Sequence, residues 1–409
     1  MNFTSNNSLK SFEDFRAPLP KIKVVGLGGG GCNAVNRMIE YGMKGVDFIA
    51  CNTDKQALDA SLAEMKIQLG PKCTRGLGAG GIPAVGEKAA EESFQRLADA
   101  LYGAEMVFLT AGMGGGTGTG AIPVAARVAK TIGAVTIAVV TTPFSFEMGT
   151  RQKNAALGLQ KLRKFTDTMI TVPNDRLLEV APKDLPLEMA FKLADDVLRQ
   201  GVSGISELLT ETGLINVDFA HIRHVMALGG GALMSIGTGE GEDKAIKALD
   251  QALHHPMLDE ISLETASGII ANFSGSDDLK FTEVADALSR LNQETDNQAE
   301  IIPGFIHDHN LRDRSQVILI VTGLGALPIE QAIPGAERLF KKISSNEPET
   351  PTLVPNEESK KAANGTRFNK PFEKDDLEDT QAYSYSMDQS RVLANNLDVP
   401  AFLRKRIRG

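Results

Sequence analysis

Residues 112–120 read Gly-Met-Gly-Gly-Gly-Thr-Gly-Thr-Gly, directly after the apolar run 106–110. A stretch with almost no side chains at the end of a strand can turn its backbone N–H groups toward one anion. Glycine also lets that backbone approach the ligand closely. Thr117 and Thr119 add hydroxyl donors. The chemistry this suits is the binding of a phosphate chain. A glycine-rich linker is the competing reading, but the helical pattern of residues 123–129 follows at once and argues against it. No Gly-Lys-Ser/Thr closes the segment, so it is not a P-loop and puts no lysine on terminal phosphates.

Two further glycine loops occur, Gly-Leu-Gly-Gly-Gly-Gly at 26–31 and Gly-Leu-Gly-Ala-Gly-Gly at 76–81. The first, read alone, satisfies the dinucleotide fingerprint, with Asp47 about twenty residues on as the ribose acid. A nicotinamide-dependent oxidoreductase would use one such loop. Three of them suggest a mononucleotide with a long phosphate chain surrounded by backbone. Glu147 can accept from ribose hydroxyls, and Arg151 can reach phosphate or stack on a base. Taken alone, that pair reads as a surface i,i+4 ion pair. Asn174 and Asp195 are further candidates, since an Asp carboxylate can accept from both N1 and N2 of guanine. Phe191, one turn before Asp195, can stack on the base or pack into the core.

The elements that must hold these residues follow from periodicity. Residues 22–25, 48–51, 106–110, 134–140 and 169–172 read as strands, with helical stretches such as 34–40 and 86–101 between them. That alternation predicts an α/β domain, a mainly parallel sheet with helices on both faces and ligands at the carboxyl ends of the strands. Pro186 opens a long helix with a wide apolar stripe, closed by Gly213, a spine between two domains. A second, α+β domain follows, with strands at 232–237, 268–273, 300–306 and 316–322 and helices at 242–254 and 282–294. Residues 345–393 are polar and read as a disordered linker. The basic, amphipathic end, 397–408, has the profile of a peptide that folds onto a partner.

Composition narrows the class. The chain has 409 residues, 42% hydrophobic and 23% charged, with a net charge of −9, which argues against nucleic acid as the main partner. No apolar run is long enough to insert in a membrane, and the polar N-terminus has no signal-peptide core. The cysteines, Cys32, Cys51 and Cys73, lack metal-ligand spacing. His221 and His224, and His254 and His255, have no acid or Cys cluster beside them in the sequence. No protein-held metal is therefore expected, and the reading is a cytosolic protein.

The signature at 112–120, with its two companion loops, resembles that of tubulin and its bacterial relative FtsZ over residues 21–326, and again at 397–405. The resemblance implies a tubulin/FtsZ-like fold: an extension (1–20), a GTP-binding domain (21–185), a central helix with a catalytic-type loop (186–221), a C-terminal domain (222–326), a linker (327–394) and a terminal peptide (395–409). It implies GTP or GDP as ligand, with Mg²⁺ held mainly through the nucleotide. Gly29, Gly30, Gly31, Cys32 and Asn33 match the first loop, with Cys32 packing as a small residue. Gly80 and Gly81 match the third loop, and Gly116, Thr117 and Gly118 the signature loop. Glu147 and Arg151 match the ribose and phosphate contacts. Asn174 and Asp195 match guanine contacts, with Phe191 beside them. Members of the family polymerise head-to-tail and hydrolyse GTP with a loop from the next subunit. That loop, Asn-x-Asp-Phe-Ala-Asp, here reads Asn216-Val-Asp218-Phe-Ala-His221. His221 stands where an acid is expected, and Ile82 where Asn is usual. A slower GTPase, or a scaffold that assembles and scarcely hydrolyses, is the alternative. The resemblance also implies the midcell division site as the location. Its terminal peptide, here from Asp398 to Arg404, would bind membrane tethers such as FtsA- or SepF-like proteins.

Overall fold

The computed structural model describes residues 20–324, apart from Met148, Lys183, 211–217, Gly229, Gly230, Met257, 259–262 and Asn297. The expectations for the two termini, the closing Gly213, Asn216 and the segment from Asp398 to Arg404 lie outside the described residues.

The first half runs β1 (Ile22–Leu27), α1 (Gly28–Glu40), β2 (Val46–Asn52), α2 (Lys55–Asp59), β3 (Met65–Gln68), α3 (Pro71–Thr74), α4 (Pro83–Glu92) and α5 (Phe94–Leu101). It continues through β4 (Met106–Gly112), α6 (Thr117–Thr131), β5 (Val135–Thr142), α7 (Thr150–Leu162), β6 (Thr168–Pro173) and α8 (Asn174–Val180). The long helix α9 (Leu187–Thr210) and α10 (Phe219–Ala227) lead to β7 (Gly231–Glu240), α11 (Lys244–Leu253), β8 (Gly268–Gly275), α12 (Phe281–Glu294), β9 (Glu300–His307) and β10 (Arg314–Thr322).

The strands form one ten-stranded sheet in the order β3-β2-β1-β4-β5-β6-β7-β10-β8-β9. Neighbours from β3 to β7 are parallel, β10 is antiparallel to β7 and β8, and β8 is parallel to β9. Chain order reverses between β1 and β4, so the loops leaving these two strands part to opposite faces and open a crevice at their carboxyl ends. The glycine loops emerge there.

Alternation along the strands builds two cores. Val24, Phe108, Ile137 and Ile170 face α1 and α9, whereas Val25, Val107, Ala138 and Val140 face α5, α6 and α7. The α9 core also takes in Met234 and Ile320, so one helix seals both halves of the sheet. Gly201 lets α9 lie close on both: a Cβ there would stand 3.0 Å from Val139 and 3.1 Å from Met234. A third cluster buries Leu249, Phe273, Leu291 and Leu319 under α11 and α12.

Several boundaries differ from the sequence reading. The glycine run at 28–31 is already the first turn of α1, not a loop before it. Helix propensity disfavours this, but packing overrides it: a Cβ at Gly31 would stand 2.2 Å from the Thr110 carbonyl oxygen. Similarly, α6 begins at Thr117, so Pro123 lies inside the helix instead of opening it. The single helix expected at 86–101 is two, divided at Ser93. That buried hydroxyl accepts from Gly70 N–H at 3.0 Å, which ties the break to the end of β3. Strand β3 itself, only four residues long with Ile67 alone buried, carried too little periodicity to be read.

Candidate functional site

The first turn of α1, the segment 78–82, the turn 112–117 and the segment 143–147 meet at the carboxyl ends of β1, β4 and β5. Backbone contact holds them: a Cβ on Gly28 would reach Gly118 N at 2.7 Å, one on Gly30 Gly112 N at 3.2 Å, and one on Gly116 Ile82 N at 2.8 Å. The structure thus brings together the three glycine loops that are far apart in the chain.

The glycines divide by what surrounds them. Gly31 and Gly118 are packing positions, their Cβ sites filled by Thr110 O at 2.2 Å and by Gly112 O at 3.0 Å. At Gly29, Gly80 and Gly81 a Cβ would meet nothing within 4 Å. Those three border open space, and Gly80 and Gly81 also hold positive φ, +60° and +79°. This is the cradle a phosphate chain needs, backbone bare on the side facing the crevice.

The hydroxyls have separate tasks. Thr119 is buried and its Oγ1 accepts from Gly114 N–H at 2.8 Å, so it shapes the signature turn from behind. Thr117 Oγ1 lies 2.6 Å from Thr53 Oγ1, which links the turn to the end of β2. Asn154 on α7 donates to the carbonyls of Gly81 (3.4 Å) and Gly114 (3.3 Å), clamping two loops together. Thr53 and Asn154 were not singled out from sequence. The available signals were a polar residue at the end of an apolar strand, and a polar residue three positions after Arg151 on one helix face.

Glu147 is held from two sides. Its Oε1 accepts from Phe144 N–H at 3.0 Å, and its Oε2 pairs with Arg151. The i,i+4 ion pair therefore exists, at the rim of the crevice, with the carboxylate side chain 5% exposed. Arg151 adjoins the signature turn, its guanidinium 3.8 Å from the Cβ site of Gly115. Cys32 Sγ points inward, donating to the carbonyls of Gly26 and Cys51 at 3.6 and 3.7 Å. Burial pushes its thiol up to about 12. Its side chain is core, and half-buried Asn33 follows it within α1. Ile82 is exposed and caps α4 without a side-chain hydrogen bond.

Beyond the glycine cradle, β6 ends at Pro173 and Asn174 begins α8. Asn174 is buried, yet its Oδ1 has no hydrogen-bond partner among the described residues. A buried amide oxygen without a partner is costly, so its position points to a polar ligand group. Phe144 stacks on Phe146 at 5.0 Å and meets the edge of Phe191 at 5.4 Å. Phe191 thus belongs to an aromatic cluster at the mouth of β5. Asp195, one turn further along α9, accepts from Arg37 Nε at 3.4 Å, which joins α9 to α1. Asp47 is placed elsewhere. It is exposed at the start of β2, opposite Lys23 and away from the carboxyl ends, so the ribose-acid reading fails. A dinucleotide site on the first loop loses its partner residue with it.

Asp218 and His221 lie apart from this crevice. Asp218 caps α10, accepting from Ala220 N–H at 3.1 Å. His221 Nε2 lies 2.5 Å from Glu300 Oε1, and His224 Nε2 is 3.8 Å from the other oxygen of the same carboxylate. The two histidines thus do have an acidic neighbour, contributed by β9. Glu300 is 79 residues from His221, so no local pattern could reveal it.

Bare glycine backbone at the carboxyl ends of a parallel sheet, next to an aromatic pocket edge and an unsatisfied buried amide, defines a nucleoside-phosphate-binding α/β protein. Residues 21–182 match the GTPase domain of the Tubulin/FtsZ family, and residues 230–325 match the C-terminal domain of the FtsZ family. An empty FtsZ dimer from M. jannaschii is similar at 44% identity and a TM-score of 0.73, over 76% of this chain and 90% of that one. The GTPγS-bound protofilament of CetZ2 from Haloferax volcanii, at 20% identity, shares the fold, with a TM-score of 0.66 over 79% of this chain and 99% of that one. The chain belongs to the tubulin/FtsZ family; it is an FtsZ-like GTPase that binds guanine nucleotide.

Proposed function

We propose that this chain polymerises head-to-tail and hydrolyses GTP between subunits, and that its filaments build the division ring at the septum in the cytoplasm. One observation carries the reading of hydrolysis between subunits. Asp195, near the start of α9, lies one turn from Phe191 and the aromatic cluster at the mouth of β5, whereas Asp218 and His221 follow the far end of the same helix. The fifteen steps from Asp195 to Thr210 span about 22 Å of helix. Residues so far from their own nucleotide are suited to act on a neighbour's, and such a head-to-tail contact repeats into a filament. The M. jannaschii FtsZ dimer supports self-association. Gly29, Gly80, Gly81 and Thr117 would hold the phosphates, Glu147 and Arg151 the ribose and phosphate, and Asn174 and Asp195 the guanine. Mg²⁺ would be held mainly through the phosphates and would neutralise their charge. The segment from Asp398 to Arg404 would bind FtsA- or SepF-like tethers.

A second reading, a scaffold with slow turnover, is favoured by His221. An imidazole is a poor ligand for hard cations, and here it also occupies the Glu300 carboxylate. Light scattering and phosphate release, followed together on the purified chain with GTP, test both. GTP-dependent scattering with brisk release supports the first reading, scattering with little release the second, and no scattering with GTP removes both.

A further inference from the structure

The loops after β8 and β9 lie side by side because the strands are parallel and in register, Gly275 opposite His307. They bring Asp277, His307 and His309 together, one ligand atom of each within 4.8 Å of the others. His307 Nε2 is 3.0 Å from His309 Nδ1 and 3.6 Å from Asp277 Oδ1. Around a tetrahedral ion with bonds near 2.1 Å, ligand atoms stand about 3.4 Å apart. The two observed separations bracket that edge. The imidazoles meet nearly at right angles, 86°, with their nitrogens facing each other.

Neighbouring residues fix both loops without using the three side chains. Asp278 holds its loop through Lys244 Nζ at 2.5 Å, Ser276 and the Asp313 N–H at 2.9 Å. Asp308, between the histidines, donates its N–H to the Gly275 carbonyl at 2.9 Å. Its carboxylate accepts from Asn310 N–H and Nδ2–H, each at 2.9 Å. These bonds set the course of both loops, and Asp277, His307 and His309, which pair with one another, are grouped at the surface, all exposed.

We propose that Asp277, His307 and His309 form a site for a divalent transition-metal ion such as Zn²⁺. Two imidazoles and one carboxylate suit Zn²⁺, Co²⁺ or Ni²⁺ and disfavour Mg²⁺ and Ca²⁺, which take oxygen ligands. The site is therefore selective against the Mg²⁺ that accompanies nucleotide. His307 binds through Nε2 and keeps its proton on Nδ1, and His309 binds through Nδ1 and keeps its proton on Nε2, so both ligate as neutral rings. Three protein ligands leave the fourth position to water. The site lies in the C-terminal domain and is independent of the nucleotide crevice.

Equilibrium dialysis of the full-length, GDP-loaded chain against Zn²⁺ in excess Mg²⁺ tests this, together with the visible absorption of bound Co²⁺. The parent binds one Zn²⁺ that His307→Ala, His309→Ala and Asp277→Asn each weaken at least about tenfold, and the Co²⁺ band of a tetrahedral site disappears with it. GDP content and the metal-free thermal midpoint stay unchanged in these variants, which separates ligand loss from misfolding. The proposal is overturned if the parent binds no Zn²⁺ over Mg²⁺. It is equally overturned if the bound ion survives in His307→Ala/His309→Ala, or is lost instead in Cys73→Ser or His221→Ala/His224→Ala.

Discussion

Asn174 and His221 are the side chains whose roles can be separated most cleanly. The Oδ1 of Asn174 has no hydrogen-bond partner among the described residues, so removing that oxygen breaks no hydrogen bond within the fold. Asn174→Ala should leave the thermal midpoint of the nucleotide-free protein nearly unchanged while weakening GTP about tenfold, or ~1.4 kcal/mol. Calorimetric titration beside thermal unfolding checks this, and a lower midpoint with unchanged affinity would assign Asn174 to the fold alone. His221 poses the reverse question, because a carboxylate already faces it from β9. Placing Asp at 221 beside Glu300 would set two like charges together, so the informative variant is His221→Asp with Glu300→Gln. If turnover is slow because an imidazole stands in place of an acid, phosphate release by this variant rises several-fold at unchanged scattering. A fall in release would show that His221 serves the reaction as it is.

The two short segments that open α1 and α6 turn glycine composition into a binding surface, and they do it with two kinds of glycine. At Gly31 a methyl group would collide with the Thr110 carbonyl, an atom that cannot move without distorting β4. At Gly29, two residues earlier on the same turn, it would meet no protein atom. Gly31→Ala should therefore destabilise the chain by at least ~1–3 kcal/mol. Gly29→Ala should keep the unfolding free energy within about 0.5 kcal/mol and lose nucleotide affinity. Urea unfolding and GTP titration on the pair distinguish the two. Equal loss of stability in both would mean that the turn is a packing device and nothing more.

Across the molecule, the continuous sheet and the shared helix α9 couple the GTPase half to the C-terminal half, so stability can be followed as one property. Two groups contribute to its dependence on pH. Burial lowers the affinity of His255 for protons below its ordinary value of 6.5, against a smaller opposing effect of Glu179. The folded chain then binds fewer protons than the unfolded one. Its contribution is complete above 6.5 and is lost as the pH falls toward the folded value. Lys244 and then Ser276 hold the Asp278 carboxyl below its ordinary 3.8, so its contribution is present above that value and lost in stronger acid. The urea midpoint should therefore decline between about pH 7.5 and 5.5 and fall again below about pH 4. His255→Gln should flatten the first step only. A midpoint that rises on acidification to pH 5.5 would contradict the assignment.

The phosphate-binding chemistry was legible in the sequence because it resides in local strings: bare glycine after an apolar strand, repeated three times. Strand–helix alternation likewise exposed the parallel sheet, since period-2 and period-3.6 patterns are written over a few residues. Helix starts were misread at Gly28 and Thr117, where contacts with distant backbone outweigh what glycine prefers on its own. The break at Ser93 depended on Gly70, the clamp by Asn154 on two separate loops, and the acid beside His221 on a strand 79 residues away. The grouping of Asp277 with His307 and His309 arises from strand register. Each of these is a pairing across the chain, and only folding brings such partners within bonding distance.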